Sequence, residues 1–362
     1  MIPMKYRRPR VGIALDSGGA KGAAHIGVLE VLIENEIPID VIAGSSAGAF
    51  AGAMYATASI EKFRAIVDAI TWRESLSYYV DPVFPLSGLL AGKRARAFIQ
   101  EIVGDTKIED LDVTFTAVAT DLLSGETVPI DSGPLADAVM ASVSMPGIFK
   151  PIVLMDRLLT DGGVTDPLPL DILKRSSPDI TIAVNLHPSM PNRYDQSQKK
   201  ALIPNQKQQP DDEDLPSWII DRVIKVIRSQ KMLDNLTPLA KGIAKKLGRE
   251  ASGDVDLAAI LNEQLSMSKD KLGTLLQGSF IDRPKQPSMN IFEILTAATN
   301  IQQYQKNRLM LVHEPPDVLI EPEVGAIMSL EFVRSHEAIE AGRRSAMEML
   351  PQIKTLLRTS NQ

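Results

Sequence analysis

Apolar positions in the first half of the chain fall into short unbroken runs that alternate with helical stripes. Val11–Asp16 is an apolar run that breaks at Ser17-Gly-Gly, as a strand covered on both faces does. Gly22–Asn35 then carries Ile26, Leu29 and Ile33 on one helical face. Val41–Gly44 is a second short strand, and Ala47–Ala58 a helix of small residues suited to close packing. Helices are predicted at Glu61–Ile70, Lys93–Val103, Pro134–Ser142 and Leu168–Lys174, with strands at Thr114–Thr120, up to Leu158–Thr160, and at Ile180–Leu186. Between them, Trp72–Gly92 is irregular, and its aromatics and prolines suit a cap over a crevice as well as a structural loop. This alternation is the pattern of a layered α/β fold with a mainly parallel central sheet.

The pattern changes after residue 188. Pro191, Pro204, Pro210 and the acidic run Asp211–Asp214 read as a linker, residues 216–275 as helices, and Arg283–Pro287 as a second break. The earlier style resumes with a helix at Ile291–Tyr304, a strand at Val318–Ile320 and a final helix at His336–Leu357. The expectation is one α/β domain built from 10–188 and 288–358, interrupted by a linker and helical insertion at 189–287. No internal repeat is visible.

Composition narrows the chemistry. The 362 residues are 44% hydrophobic and 23% charged, ordinary for a soluble chain able to bury a sizeable core. Absence of cysteine excludes disulfides, thiolate nucleophiles and Cys-based zinc or iron–sulfur sites. The four histidines, His25, His187, His313 and His336, lie too far apart for an HExxH metal helix. A net charge of −6 argues against nucleic acid as a partner. Chemistry is left to hydroxyls, carboxylates and backbone dipoles, with no metal or cofactor called for. The uncharged stretch Val41–Ile60 is long enough to span a bilayer, but Gly44, Ser45, Ser46, Gly48, Gly52, Thr57 and Ser59 make it too small and polar. The basic Met1–Arg10 has no apolar region behind it, so it does not read as a secretory signal, and a cytoplasmic location is expected.

Three constellations carry chemistry. Asp16-Ser-Gly-Gly-Ala-Lys-Gly22 follows the first strand and opens a helix, where free N–H groups attract negative charge. It lacks the Gly-Lys-Ser/Thr ending of a Walker A loop and the spacing of a dinucleotide fingerprint. Gly44-Ser-Ser-Ala-Gly48 matches GxSxG between a strand and a helix, a sharp turn that exposes its middle serine, Ser46, at the sheet edge. Parallel strands joined by a helix place both loops at the same carboxyl edge, so a serine nucleophile would stand beside backbone donors. Thr160-Asp-Gly-Gly163 ends a short strand; alone it reads as a turn, but beside Ser46 it offers a carboxylate base. Two partners for Ser46 stay open. One is a triad in the chain order Ser46…Asp161…His187; the other is Asp161 acting directly, its pKa raised from about 3.9 by an apolar crevice.

Together with Ala24-His-Ile-Gly-Val-Leu29, Ala119-Thr-Asp-Leu122, Ser142–Gly147 and Asp161–Pro169, these motifs resemble the patatin-like phospholipases, nearest to the bacterial branch related to neuropathy target esterase. The resemblance covers about 10–187 and resumes near 290–345, through Asp317–Pro322 and Ala338–Arg343. It implies a three-layer α/β/α fold and a serine lipid acyl hydrolase of phospholipase A or lysophospholipase type, with Ser46 as nucleophile and Asp161 as base. It further implies an oxyanion hole from main-chain N–H groups at Gly18, Gly19 and Ala20, and substrate contacts at Lys21 and Ala47. Ser17 stands where the family has the first of three glycines. The alternatives are a general carboxylesterase using His187 and a non-catalytic lipid-binding protein; the presence of both Ser46 and Asp161 speaks against the latter.

The insertion adds a membrane expectation. Ile220, Val223, Ile224 and Ile227 share one helical face behind Trp218, with Arg222, Lys225 and Arg228 on another. Pro216–Arg249 holds eight Lys/Arg against two Asp, which suits peripheral contact with anionic lipid; an ordinary helix with a solvated basic face is the other reading. The expected partner is a phospholipid or lysophospholipid substrate.

Overall fold

In the computed structural model, which describes residues 7–69, 90–189 and 291–360, the unbroken apolar runs become the central strands of one sheet. Strands β1 (Val11–Leu15), β2 (Val41–Ser45) and β7 (Ile180–Val184) are buried at every residue. β1 pairs in parallel with β2 and β7; β3 (Thr114–Asp121) joins β2, and β8 (Val318–Ile320) joins β7, also in parallel. Strands this dry on both faces need helices on both sides. On one side lie α1 (Ala23–Glu34), α2 (Ala47–Ala56), α4 (Lys93–Val103), α5 (Leu135–Ser142) and α8 (Ser335–Thr359), around Ile13, Leu15, Ile42, Phe115 and Val184. On the other, α6 (Leu170–Arg175) and α7 (Ile291–His313) cover the shorter side chains Ala14, Val41, Ala43, Val118 and Ala183. A further helix, α3 (Ile60–Ala69), follows α2. The result is a three-layer α/β/α fold.

The two ends of the described chain are joined by backbone contact. A Cβ at Gly27 of α1 would strike the Ile339 carbonyl of α8, and one at Gly342 would strike the Ala24 carbonyl. Arg343 beside this crossing pairs with Glu30 and, through both guanidinium nitrogens, with Glu34 at 2.8–2.9 Å. These carboxylates hold the guanidinium above its usual range, and the guanidinium in turn holds the Glu34 carboxyl below its own.

The sheet is mixed at its other side. β4 (Thr127–Ile130) and β6 (Arg157–Asp161) run antiparallel to β3, and β5 (Ile152–Leu154) forms a hairpin with β6. Neither β4 nor β5 is expected from the sequence: β5 is only three residues long, and Pro129 argues against a strand except at an edge, where β4 lies. Register then decides the layout of the site. β4 pairs with Ala117–Thr120, overlapping both the Thr114–Val118 stretch paired to β2 and the Ala119–Asp121 stretch paired to β6. A strand has two edges, so β4 occupies one, and β2 and β6 share the other end to end. Ser45 closes β2 opposite Val118, and Asp161 closes β6 opposite the next residue, Ala119.

α7 runs nine residues beyond its expected end at Tyr304. Its buried face includes Asn300, Gln303 and Asn307, so the apolar period that marks a helix is broken there. The expected insertion at 189–287, its basic helix within 216–249 and nearly all of Trp72–Gly92 lie outside the described residues. Among the described residues no helix is long and apolar enough to cross a membrane.

Candidate active site

The turn between β2 and α2 is sterically possible only with its glycines. A Cβ at Gly44 would meet the Gly48 and Ala49 backbone at 2.6 Å, and one at Gly48 would strike the Leu15 carbonyl. Between them Ser46 takes φ 52°, ψ −118°, a region that L-residues avoid. Two contacts hold it there. Its N–H donates to Ser142 Oγ at 2.8 Å, and Ser142 Oγ donates in turn to the Val118 carbonyl at 2.5 Å.

Asp161 reaches the same point from the opposite direction. Its N–H donates to the Ser144 carbonyl at 3.0 Å, and Thr160 Oγ1 donates to that carbonyl at 2.7 Å. Gly162 beyond it has no room for a side chain, because a Cβ would strike the Val118 carbonyl. The carboxylate is fully engaged: Oδ1 accepts the Gly163 N–H at 2.7 Å and Oδ2 accepts Ser46 Oγ–H at 2.6 Å. Both side chains are nearly sealed, with 5% of each residue exposed. Burial pushes the Asp161 carboxyl up to about 6, against the pull of the bonds from Ser46 and Gly163. A hydroxyl proton thus lies within transfer distance of a carboxylate far more basic than one in water.

The glycine loop closes the site from β1. Ser17 N–H donates to the Pro167 carbonyl at 2.9 Å, which leaves the Gly18 and Gly19 N–H groups without a partner among the described residues. Gly19 has φ 58°, and a Cβ there would strike the Ser329 carbonyl. Ala20 departs from the expected oxyanion set. Its N–H donates to the Ser329 carbonyl at 2.9 Å, because the loop tightens into a 3-10 turn over Gly19–Gly22 and brings residue 20 against the segment after β8.

Gly18, Gly19, Ser46 and Asp161 line one open cleft, whose empty space together with the open solvent in it comes to about 560 Å³. Met145, Pro146, Ile148, Val164 and Leu295 make its apolar wall; Thr296, Thr299, Asn300, Gln303 and Ser329 make a neutral polar one. The substrate contacts expected of Lys21 and Ala47 are not part of this lining. Lys21 is 2% exposed, turned inward within the 3-10 turn, and Ala47 packs against Gly22.

The triad through His187 is corrected by the structure. Its Nδ1 lies 2.9 Å from Asp16 Oδ2, with both side chains fully buried, while Ser46 has Asp161 as its partner. The same Asp16 oxygen accepts the Leu186 N–H and Asn307 Nδ2, each at 2.8 Å, and the Asp16 carbonyl meets His25 Nε2 at 2.7 Å. Burial keeps His25 neutral, its pKa lowered to about 4. Asp16 therefore anchors the root of the glycine loop to β7 and α7. Sequence reasoning missed Ser142, Ser144, Ser329 and the amides of α7. Only Ser142 and Ser144 left a trace, within the Ser142–Gly147 motif. Among the described residues no group of three or more His, Asp or Glu side chains is placed to hold a metal ion.

Comparison with known proteins agrees with this architecture. A family model described as patatin-like phospholipase matches residues 13–174. Uncharacterized NTE family proteins of Mycobacterium tuberculosis and Mycobacterium bovis are each 33% identical over 348 residues, covering 94% of this chain and 91% of theirs. Patatin-like phospholipase domain-containing protein 7 of Rattus norvegicus is 32% identical over 183 residues, which covers 49% of this chain and 13% of that one. The mycobacterial likeness runs through both halves of the α/β unit, and on it the chain belongs to the NTE branch of the patatin-like phospholipases, a family of lipid hydrolases.

Proposed function

We propose that this chain is a serine lipid acyl hydrolase of phospholipase A or lysophospholipase type, working through a Ser46–Asp161 dyad in a domain formed by 10–188 and 288–358. The observation that carries the reading is the 2.6 Å hydrogen bond from Ser46 Oγ to Asp161 Oδ2, made by a serine held at φ 52° on the wall of the cavity. The first half-reaction follows from it. Ser46 Oγ adds to the ester carbonyl carbon as its proton passes to Asp161 Oδ2. The oxyanion faces the Gly18 and Gly19 N–H groups. The bond to the leaving alcohol breaks as Asp161 returns the proton to that oxygen. In the second half, water adds to the acyl group with Asp161 again taking the proton, and Ser46 leaves with it. The Gly163 N–H on Asp161 Oδ1 fixes the carboxylate so that Oδ2 keeps facing the serine.

Fluorophosphonate labelling of the wild type, Ser46→Ala and Asp161→Asn tests the assignment. The expected result is a single adduct at Ser46, absent in Ser46→Ala and formed at least a hundredfold more slowly in Asp161→Asn. Labelling that persists in Ser46→Ala overturns the nucleophile; unchanged labelling in Asp161→Asn overturns the base. Fatty-acid release from diacyl and lysophospholipids, compared with simple esters, then tests the lipid class.

A further inference from the structure

α7 turns three amide side chains inward on one helical face, Asn300, Gln303 and Asn307, each more than nine-tenths buried. Two are committed. Asn307 Nδ2 donates to Asp16 Oδ2 at 2.8 Å and to Asn185 Oδ1 at 3.0 Å, and Gln303 Nε2 reaches the Gly163 carbonyl at 3.4 Å. Asn300 differs. Its Oδ1 lies 3.5 Å from Ser329 Oγ, and its Nδ2 has no partner among the described residues, although only 4% of the residue is exposed. That nitrogen is not sealed in protein; Asn300 lines the cavity with Ser46, Gly18 and Gly19. An unpaired donor in a buried side chain is costly unless a ligand accepts from it.

The position of this donor follows from Ser329. The Ser329 carbonyl takes the Ala20 N–H, and the same residue abuts Gly19 so closely that no Cβ fits there. Asn300, in contact with Ser329, therefore lines the same cavity as the Gly18 and Gly19 N–H groups, on the side where Ser329 abuts Gly19. Ala20 N–H, which would have been the third donor of that loop, is committed elsewhere. We propose that Asn300 Nδ2 is a third donor of the oxyanion hole, supplied by a helix some 280 residues along the chain from the glycine loop.

This rests on Ser46 being the nucleophile. As Ser46 Oγ bonds to the ester carbon and its proton moves to Asp161, the carbonyl π pair becomes a third lone pair on oxygen, and that anion accepts from Gly18, Gly19 and Asn300. Donors aimed at charge that exists only in the transition state lower the barrier rather than tighten substrate binding. The test is steady-state kinetics on a soluble p-nitrophenyl acyl ester for wild type, Asn300→Asp and Asn300→Leu, with thermal melting of each. Asn300→Asp keeps the shape and removes the donor. Asn300→Leu avoids a new buried carboxylate and keeps the test readable if Asn300→Asp folds poorly. Both are expected to lower kcat by about a hundredfold or more, with KM within about threefold of wild type. An unchanged kcat, or a loss confined to KM, overturns the proposal. Fluorophosphonate occupancy of Ser46 in the wild type separates the two failures: without it the dyad reading falls, whereas with it and an unchanged Asn300→Leu only the third donor falls.

Discussion

The two halves of the Ser46–Asp161 pair are held by contrasting means. On the β2 side the device is backbone strain: glycines on either side let Ser46 adopt φ 52°, and its N–H rests on the hydroxyl of Ser142. On the β6 side Asp161 has φ −48°, and the device is desolvation, which lifts its carboxyl to about 6. Both halves lean on the last residue of α5 and the two that follow it, one through the Ser142 side chain and the other through the Ser144 main chain. Strain is concentrated at Ser46 and raised basicity at Asp161. A short stretch of chain keeps the two in register.

The largest test of that contrast is the base itself. Replacing Asp161 with Asn keeps both hydrogen-bonding ends but removes the basicity, so hydrolysis should fall by about a thousandfold. With Asp161 as the proposed base, kcat/KM is expected to be level above its pKa and to fall as pH drops through about 6. An acidic limb near 4 would mean that desolvation does not set the base.

The supporting serines should differ next. Ser142→Ala deletes the acceptor of the Ser46 N–H and the donor to Val118, both buried, and each such loss costs roughly 1–3 kcal/mol. The expected outcome is an activity loss of about tenfold to a hundredfold together with a lower Tm. Ser144→Ala retains the carbonyl that Asp161 uses and loses only the bond from its hydroxyl to Met140, so its activity should stay within about threefold. Equal losses from the two substitutions would abolish the distinction between side-chain and main-chain support.

The smallest effect on activity, with a clear effect on stability, is expected at Asp166, five residues past Asp161. Burial first, then the charge of Asp171, push its carboxyl up to about 8, and it has no hydroxyl to serve. A raised carboxyl means that the folded chain holds a proton the unfolded chain has released. Stability from this group is therefore complete below about 4 and is lost as pH rises through about 8. Asp166→Asn removes that dependence. Its Tm should match the wild type near pH 4 and exceed it by on the order of 5 °C at pH 9. An equal difference at both pH values would assign the effect to packing.

Reading the sequence located Ser46 because the constraint is local: a strand, a serine and glycines two residues away on each side are sufficient to force the turn. The unbroken runs at Val11, Val41 and Ile180 disclosed the buried strands for the same reason. Asp161 was legible as an acid ending a strand, once a serine required a base. The amides of α7 were not. Asn300, Gln303 and Asn307 are polar residues on a buried face, so they weaken the helical signal that would announce them, and the apolar pattern of α7 stops at Tyr304. Ser142 is separated from Ser46 by 96 residues, and no spacing rule links them.

The choice between His187 and Asp161 shows where the division falls. Both residues end strands, and one-dimensional order fits either partner. Strand pairing separates them in space: β2 and β6 meet end to end on one edge of β3, which brings Asp161 to Ser46, whereas His187 follows β7 beyond β1 and finds Asp16. Elements and their turns, the strained turn at Ser46 included, depend on contacts within a few residues, so the amino-acid order alone specified them. Which acid meets the serine, how dry it becomes, and which loop donors remain free depend on strand register and burial between distant segments, and those exist only once the chain has folded.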